Sequence, residues 1–265
     1  MKLNLGVIGG GNMGGAIIGG ILRSGMDSQI SVFDTDASKT AELEKKGVAV
    51  AKSAEELAEG CRFLLLAIKP QTFDAVLPGL KGHITADNVV ISIAAGITEE
   101  YIIRTLGVNV PVVIVMPNTP FLLGKGATAL ARGTYTSAED FETVREIFGT
   151  GGIAEEVPLE KMKEIIAVNG SSPAFIYLYA KAFIDYAKSE GIDGDTALRL
   201  FAKSLEGSAE MLTSSGKSVD ELIKMVSSPG GTTLAGLSAL YEGGLEAMTK
   251  DCCERCTKRA YELSK

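Results

Sequence analysis

An apolar run, Leu3–Ile8, breaks into Gly9-Gly10-Gly11-Asn12-Met13-Gly14 and passes at once into a helical pattern at 13–23. No other feature of the chain restricts its fold so tightly. Gly9, Gly11 and Gly14 keep the spacing G-x-G-x-x-G, in which the first glycine permits a tight turn, the second lets a pyrophosphate reach the backbone, and the third lets the helix pack close on the strand. Asp34 follows a second β-rich run at 30–33, about twenty residues on, where a carboxylate meets the ribose. Strand, glycines, helix and acid in this order predict a βαβ unit that holds NADH or NADPH, with Asn12 and Met13 among the contacts. A carboxylate at 34 accepts ribose hydroxyls and repels a 2′-phosphate, whereas Thr35, Ser38 and Lys39 offer hydroxyls and a cation. Both cofactors stay open.

The alternation continues. β-rich runs at 63–67, 89–93 and 112–115 are separated by helical patterns such as 53–58 and Glu99–Leu106, which predicts a doubly wound parallel sheet of Rossmann type, covered by helices on both faces. After Gly149-Thr150-Gly151-Gly152 the texture changes to long helical patterns broken by glycine and serine. The expected division is a dinucleotide-binding domain over 1–155 and an all-α domain over 156–265. Pro173 falls inside the pattern 160–188, where a proline predicts a kink. Phe175, Ile176, Tyr179, Phe183 and Tyr186 make that segment apolar around much of its circumference. A small helical domain buries such a helix most easily in an intertwined homodimer.

Ligands of a doubly wound sheet lie beyond the C-terminal ends of its strands. The loops expected there are Ala67-Ile68-Lys69-Pro70, Ala94-Ala95-Gly96 and Met116-Pro117-Asn118-Thr119-Pro120. Small residues at Ala95 and Gly96 let a flat ring approach the backbone, and Asn118 offers an amide. Lys69 reads as a cofactor contact or as a surface lysine. Ser53, with Glu56, reads as a helix cap or as an adenosine contact.

At the other end, Ser228-Pro229-Gly230-Gly231-Thr232-Thr233 runs into the helical pattern of Leu234, Leu237 and Leu240. The residues allow two readings, a plain helix start and a seat for a small anion at the positive end of a helix. The lone histidine, His83, leads into a strand, at the wrong end of the sheet for chemistry, and Lys161 and Lys163 lack the lysine-to-asparagine step of an alcohol-oxidising site. Reduction of a cyclic imine asks for less. The nitrogen arrives protonated, so a hydroxyl for the nitrogen and a seat for a carboxylate suffice, and Thr233 with the Ser228–Thr232 turn supplies that pair.

With 33 acidic against 26 basic residues the net charge is −7, and no basic stripe invites nucleic acid or anionic lipid. No apolar stretch approaches the roughly 20 residues of a membrane span. The run 3–8 is too short for a secretory leader. A cytoplasmic protein is expected. Cys61, Cys252, Cys253 and Cys256 lack the spacing of a zinc site, and buried thiols rather than a metal are expected.

The motifs Gly-Asn-Met-Gly at 11–14, Ala-Ile-Lys-Pro-Gln at 67–71, Ala-Ala-Gly at 94–96, Met-Pro-Asn-Thr-Pro at 116–120 and Ser-Pro-Gly-Gly-Thr-Thr at 228–233 together make a chain that resembles the pyrroline-5-carboxylate reductases over its full length. The resemblance implies reduction of 1-pyrroline-5-carboxylate to L-proline by hydride transfer from NADH or NADPH. It implies that Thr233 bonds the substrate nitrogen, that Ser228, Gly231 and Thr232 hold the carboxylate, and that the helical domain forms an interlocked dimer assembling into larger rings. Ile114 stands where the family usually has arginine, Asn169-Gly170-Ser171-Ser172 where it has Ser-Gly-Ser-Gly, and Met225 where some members have asparagine. Two other readings are a paralogue acting on another cyclic imine acid and a dinucleotide-binding regulator without turnover.

Overall fold

The computed structural model describes residues 2–264. Eight strands, β1 (Leu3–Ile8), β2 (Ser28–Phe33), β3 (Ala49–Val50), β4 (Phe63–Leu66), β5 (Val89–Ser92), β6 (Val112–Met116), β7 (Gly126–Arg132) and β8 (Gly152–Glu156), form one sheet in the order β3-β2-β1-β4-β5-β6-β7-β8. Strands β1 to β6 are mutually parallel, β7 runs antiparallel to β6, and β8 pairs parallel with β7. The expected parallel sheet is therefore extended by two reversed strands. Strand order turns back between β1 and β4, the place where a doubly wound sheet opens its crevice.

Six helices, α1 (Asn12–Ser24), α2 (Ala37–Glu44), α3 (Ala54–Gly60), α4 (Phe73–Val76), α5 (Glu99–Leu106) and α6 (Ala138–Gly149), accompany the sheet. Alternate strand residues feed two cores. Leu5, Val7, Leu65, Ile91 and Val113 pack with Ile17, Ile18 and Ile21 of α1 and with Phe141 and Phe148 of α6. Leu64, Leu66, Val90, Val112 and Ile114 pack on the other face with Leu57 of α3, Phe73 of α4 and Ile102 of α5. Burial on both faces is why β4, β5 and β6 are continuous apolar runs rather than alternating ones.

The remaining helices are α7 (Ser172–Ser189), α8 (Gly194–Ser214), α9 (Val219–Met225), α10 (Thr232–Glu242) and α11 (Leu245–Glu262). Contacts divide the chain into one compact unit that runs to Ser171 and takes back the stretch from Arg255, and a second unit, Ser172–Glu254. The sequence division at 155/156 thus marks the end of the sheet, while the first unit continues through a 3-10 turn (Leu159–Lys161) and a π-turn (Ile166–Gly170). Pro173 lies in the first turn of α7, not inside a longer helix. There its missing N–H is one the helix would leave unpaired anyway, so no kink arises.

In the second unit α7 packs on α8 through a ring cluster, with Phe183 and Phe201 stacked 4.4 Å apart and Tyr179 edge-on to Phe183 at 5.0 Å. Ile176, Tyr177, Leu178 and Tyr186 of α7 remain exposed in the single chain. That is the apolar circumference anticipated from the sequence.

Candidate active site

The first unit gathers the expected nucleotide residues at the C-terminal edge of the sheet. Gly9 has φ +107°, and a Cβ there would run into the carbonyl oxygen of Ala67. That contact holds the loops after β1 and β4 together, with the Ala67 N–H donating to the Ile8 carbonyl at 2.8 Å. A Cβ on Gly14 would collide with the Gly9 carbonyl, whereas one on Gly11 would meet nothing within 4 Å. The loop is closed by protein on two sides and open at Gly11. Gly11 also starts α1 without a side-chain cap, and the first turn, with Asn12 and Met13, carries no acid. Unpaired amides at a positive helix end fit a pyrophosphate.

Asp34 is drawn into the same loop. Its Oδ2 accepts the Gly10 N–H and its Oδ1 the Asp36 N–H, both at 2.9 Å. Lys39 Nζ stands 3.5 Å from Oδ1. Thr35 is exposed. Asp36 caps α2, and hydrogen bonds from the Ser38 hydroxyl and amide hold its carboxyl below the usual range. Ser53 caps α3 through the Glu56 N–H at 3.2 Å, and the Glu56 carboxylate accepts the Lys52 N–H. The capping reading of Ser53 is therefore realised, with Lys52 supplying the return bond.

Ile68, Lys69 and Pro70 follow β4, with Lys69 exposed at the start of a 3-10 turn. Ala95 is half-buried after β5, and Gly96 has φ +80° with the Leu263 carbonyl oxygen 2.7 Å from the place of a Cβ. A close approach by the chain's own C-terminal backbone thus accounts for Gly96. Beside this turn an apolar cavity of about 220 Å³ is lined by Ile114, Met116, Met162 and Ile166, with Lys163 at one side.

Asn118, expected to offer its amide to the cofactor, is buried with that amide engaged. Its Nδ2 donates to the Asn169 carbonyl at 3.1 Å, and its Oδ1 accepts the Ala127 N–H at 2.9 Å. Asn169, in the π-turn, answers by donating from Nδ2 to the Met116 carbonyl at 2.7 Å and the Ala127 carbonyl at 3.1 Å. Two buried asparagines therefore clasp the ends of β6 and β7 to the π-turn. In the sequence Asn169 stands out only as a departure from the family's Ser-Gly-Ser-Gly run, and nothing in that pattern signals the clasp.

The second unit holds the other expected group. Ser228 to Gly231 form a turn in which the Ser228 carbonyl accepts the Gly231 N–H at 2.9 Å and Gly230 takes φ +71°, the arrangement of a type II turn with proline at its second position. The Gly231 amide is engaged here and is not offered to a ligand. Gly231 serves by lacking a side chain, since a Cβ would stand 2.6 Å from Ser228 Oγ. It starts α10 with no side-chain cap and no acid in the first turn. The leading helix amides, from Thr232 onward, are consequently without intrahelical acceptors. The side chains of Ser228, Thr232 and Thr233 are exposed beside them.

Other candidates lie apart from this chemistry. His83 pairs with Glu59 at 2.6 Å before β5, Lys161 stands 3.8 Å from Glu164, and Lys163 lies over the Tyr261 ring. The four cysteines are free thiols, Cys256 donating to Ser171 Oγ at 3.3 Å and Cys61 buried, which pushes its thiol pKa up. Among the described residues no three His, Cys, Asp or Glu side chains gather as a metal site would require. Among the same residues no helix is long and apolar enough to cross a membrane.

A glycine loop open to a pyrophosphate and an uncapped, hydroxyl-flanked helix start define a nicotinamide-dependent oxidoreductase that acts on a small anionic molecule. Residues 4–96 match the model described as NADP oxidoreductase, coenzyme F420-dependent, and residues 160–263 match pyrroline-5-carboxylate reductase dimerisation. The chain is 34% identical to the pyrroline-5-carboxylate reductase of Escherichia coli over 100% of both chains, and 35% identical to that of Methanosarcina acetivorans over 98% of both. The solved pyrroline-5-carboxylate reductase of Coxiella burnetii superposes with TM-score 0.94 at 31% identity, covering 100% of both chains. The Plasmodium falciparum enzyme, solved with NADP bound, gives 0.89 at 27% identity, covering 99% of this chain and 98% of its own. This chain belongs to the pyrroline-5-carboxylate reductase family.

Proposed function

We propose that this protein reduces 1-pyrroline-5-carboxylate to L-proline with NADH or NADPH. The observation that carries the reading is the start of α10, a helix end with free amides, no cap and no acid, framed by Ser228, Thr232 and Thr233. A five-membered imine acid presents a carboxylate next to its ring nitrogen. The carboxylate takes the leading amides of α10 and the hydroxyls of Ser228 and Thr232, while Gly231 lets the turn close without a side chain. Thr233 Oγ1 accepts the N–H of the protonated imine and fixes the ring. Reduced nicotinamide, when bound, would supply the hydride for the imine carbon, and the product amine would keep the proton already on nitrogen.

In the first unit Gly9 and Gly14 shape the phosphate turn, Gly11 leaves room for the pyrophosphate, and the amides of Asn12 and Met13 meet its charge. Asp34 and Thr35 face the ribose, and Ser53, Ile68, Lys69 and Pro70 flank the nucleotide. Ala67, Ala95 and Asn118 support its nicotinamide end. Ala67 and Asn118 do so by fixing backbone, given the bonds each already makes. The chain assembles as a homodimer through α7 to α10, whose exposed Ile176, Tyr177, Leu178 and Tyr186 need covering, and the dimers join in a ring. The free thiols suit a cytoplasmic location.

The test is purified protein with 1-pyrroline-5-carboxylate and either coenzyme, followed by loss of reduced-nicotinamide absorbance and appearance of L-proline. Turnover confined to a six-membered cyclic imine acid would reassign the substrate. Absence of turnover with every such acid would reduce the protein to a dinucleotide-binding regulator.

A further inference from the structure

We infer that this chain discriminates against the 2′-phosphate of NADPH and selects NADH, because the Asp34 carboxylate is clamped in place at the ribose. The inference rests on the nucleotide-binding role proposed above. A surface aspartate at the end of a strand can turn aside and admit a phosphate; Asp34 cannot do so without breaking two backbone hydrogen bonds. Its Oδ2 holds the Gly10 amide of the phosphate loop and its Oδ1 holds the Asp36 amide of the β2–α2 turn, each at 2.9 Å, so one carboxylate ties together the two walls of the ribose end. The side chain is only 9% exposed, which leaves it little alternative space.

Each carboxylate oxygen accepts more than one hydrogen bond, so the clamp leaves lone pairs for hydroxyl donors. A ribose 2′-hydroxyl supplies such a donor. A 2′-phosphate ester is an acceptor with negative charge and supplies none at neutral pH. The surrounding charge does not reverse the balance. Lys39 Nζ lies 3.5 Å from Asp34 Oδ1 and 3.8 Å from Asp36 Oδ2, so one ammonium is shared by two carboxylates. Lys52, next to the end of β3, is exposed and accompanied by Glu56, whose carboxylate accepts the Lys52 amide. Asp34, Asp36 and Glu56 outnumber Lys39 and Lys52, and a phosphate here adds like charge to a negative surround.

The experiment titrates the full-length protein with NADH and with NADPH, reading dissociation constants from nicotinamide fluorescence and calorimetry. NADH should bind at least about tenfold more tightly, the scale of one uncompensated like-charge contact near a protein surface. In Asp34→Ser the ratio should collapse to within about threefold or invert, since the fixed negative charge is gone. Competition in the unmodified protein provides a second reading that no folding defect can confuse: AMP should displace NADH more effectively than adenosine 2′,5′-bisphosphate, which differs from it only by the 2′-phosphate. Equal or tighter binding of NADPH, or a preference that survives Asp34→Ser, overturns the inference. Binding is measured without the imine acid, so a failed turnover assay would count against the proposed substrate and leave this coenzyme ratio to be judged by itself.

Discussion

Replacing Asn169 by alanine removes both donors of the clasp that joins β6 and β7 to the π-turn. The Met116 carbonyl, bonded at 2.7 Å, and the Ala127 carbonyl, at 3.1 Å, lose their partner in a place where Asn169 itself is only 8% exposed. Each lost bond contributes about 1 kcal/mol net, and leaving a buried carbonyl unpaired costs roughly 1–3 kcal/mol, the lower part of that range applying because a carbonyl has a second lone pair. The expected loss is about 2–4 kcal/mol, which for a chain of this size lowers the melting temperature by roughly 5–15 °C. The same change loosens the backbone of Met116 to Asn118, so the nucleotide KM should rise along with the fall in stability. Asn169→Asp should be worse, since it sets a carboxylate against two carbonyl oxygens. Denaturant unfolding measures the first effect and initial rates the second, with Val168→Ala, at an exposed neighbour, expected to stay within about 0.5 kcal/mol of the parent. A loss under about 0.5 kcal/mol for Asn169→Ala would show the clasp to be incidental.

Three further changes separate the groups assigned here. Gly11→Ala places a methyl where no protein atom lies within 4 Å; stability should hold while nucleotide affinity drops about tenfold or more, and calorimetry showing unchanged affinity would remove the pyrophosphate from that position. Thr233→Ala should lower kcat by about 10- to 100-fold with nucleotide affinity intact, Thr233→Ser retaining most activity, and an unaltered rate would free Thr233 of its role. Burial, with a 2.5 Å hydrogen bond to Asp74, raises the Tyr101 pKa to about 12 from 10.0. A raised folded-state value means stability is complete below pH 10.0 and declines as pH climbs toward about 12. Melting temperatures across that window should fall less steeply in Tyr101→Phe, and parallel slopes in the two proteins would contradict the assignment.

Much of the first unit is legible in the sequence, for physical reasons. β4, β5 and β6 are buried on both faces, which favours continuous apolar runs, and Gly9 sits at a backbone angle open to glycine. β7 and β8 carry no such signal: Gly126-Ala127-Thr128-Ala129-Leu130-Ala131 is poor in β-branched residues, and β8 is a partly exposed edge strand with Glu155 and Glu156. Their reversed direction is set by pairing with β6 and with each other, which no local residue pattern announces. The α10 start is legible as a turn that opens a helix, because Pro-Gly-Gly favours a tight turn, but the internal bond of the Gly231 amide to Ser228 is a matter of geometry alone. Asn118 shows the same limit. Pattern places it at the right end of β6, and only the structure reveals that Asn169 and Ala127 already engage its side chain.

The central claim is that hydride passes to the imine carbon of a substrate whose carboxylate is held at the start of α10. Coenzyme carrying deuterium at the transferable position of its nicotinamide C4, mixed with 1-pyrroline-5-carboxylate and the protein, tests it directly. The account predicts L-proline with a single deuterium on the ring carbon that was doubly bonded to nitrogen, seen by NMR, and slower product formation once Thr233 is replaced by alanine. Proline without deuterium at that carbon, or no proline with either coenzyme, would contradict it.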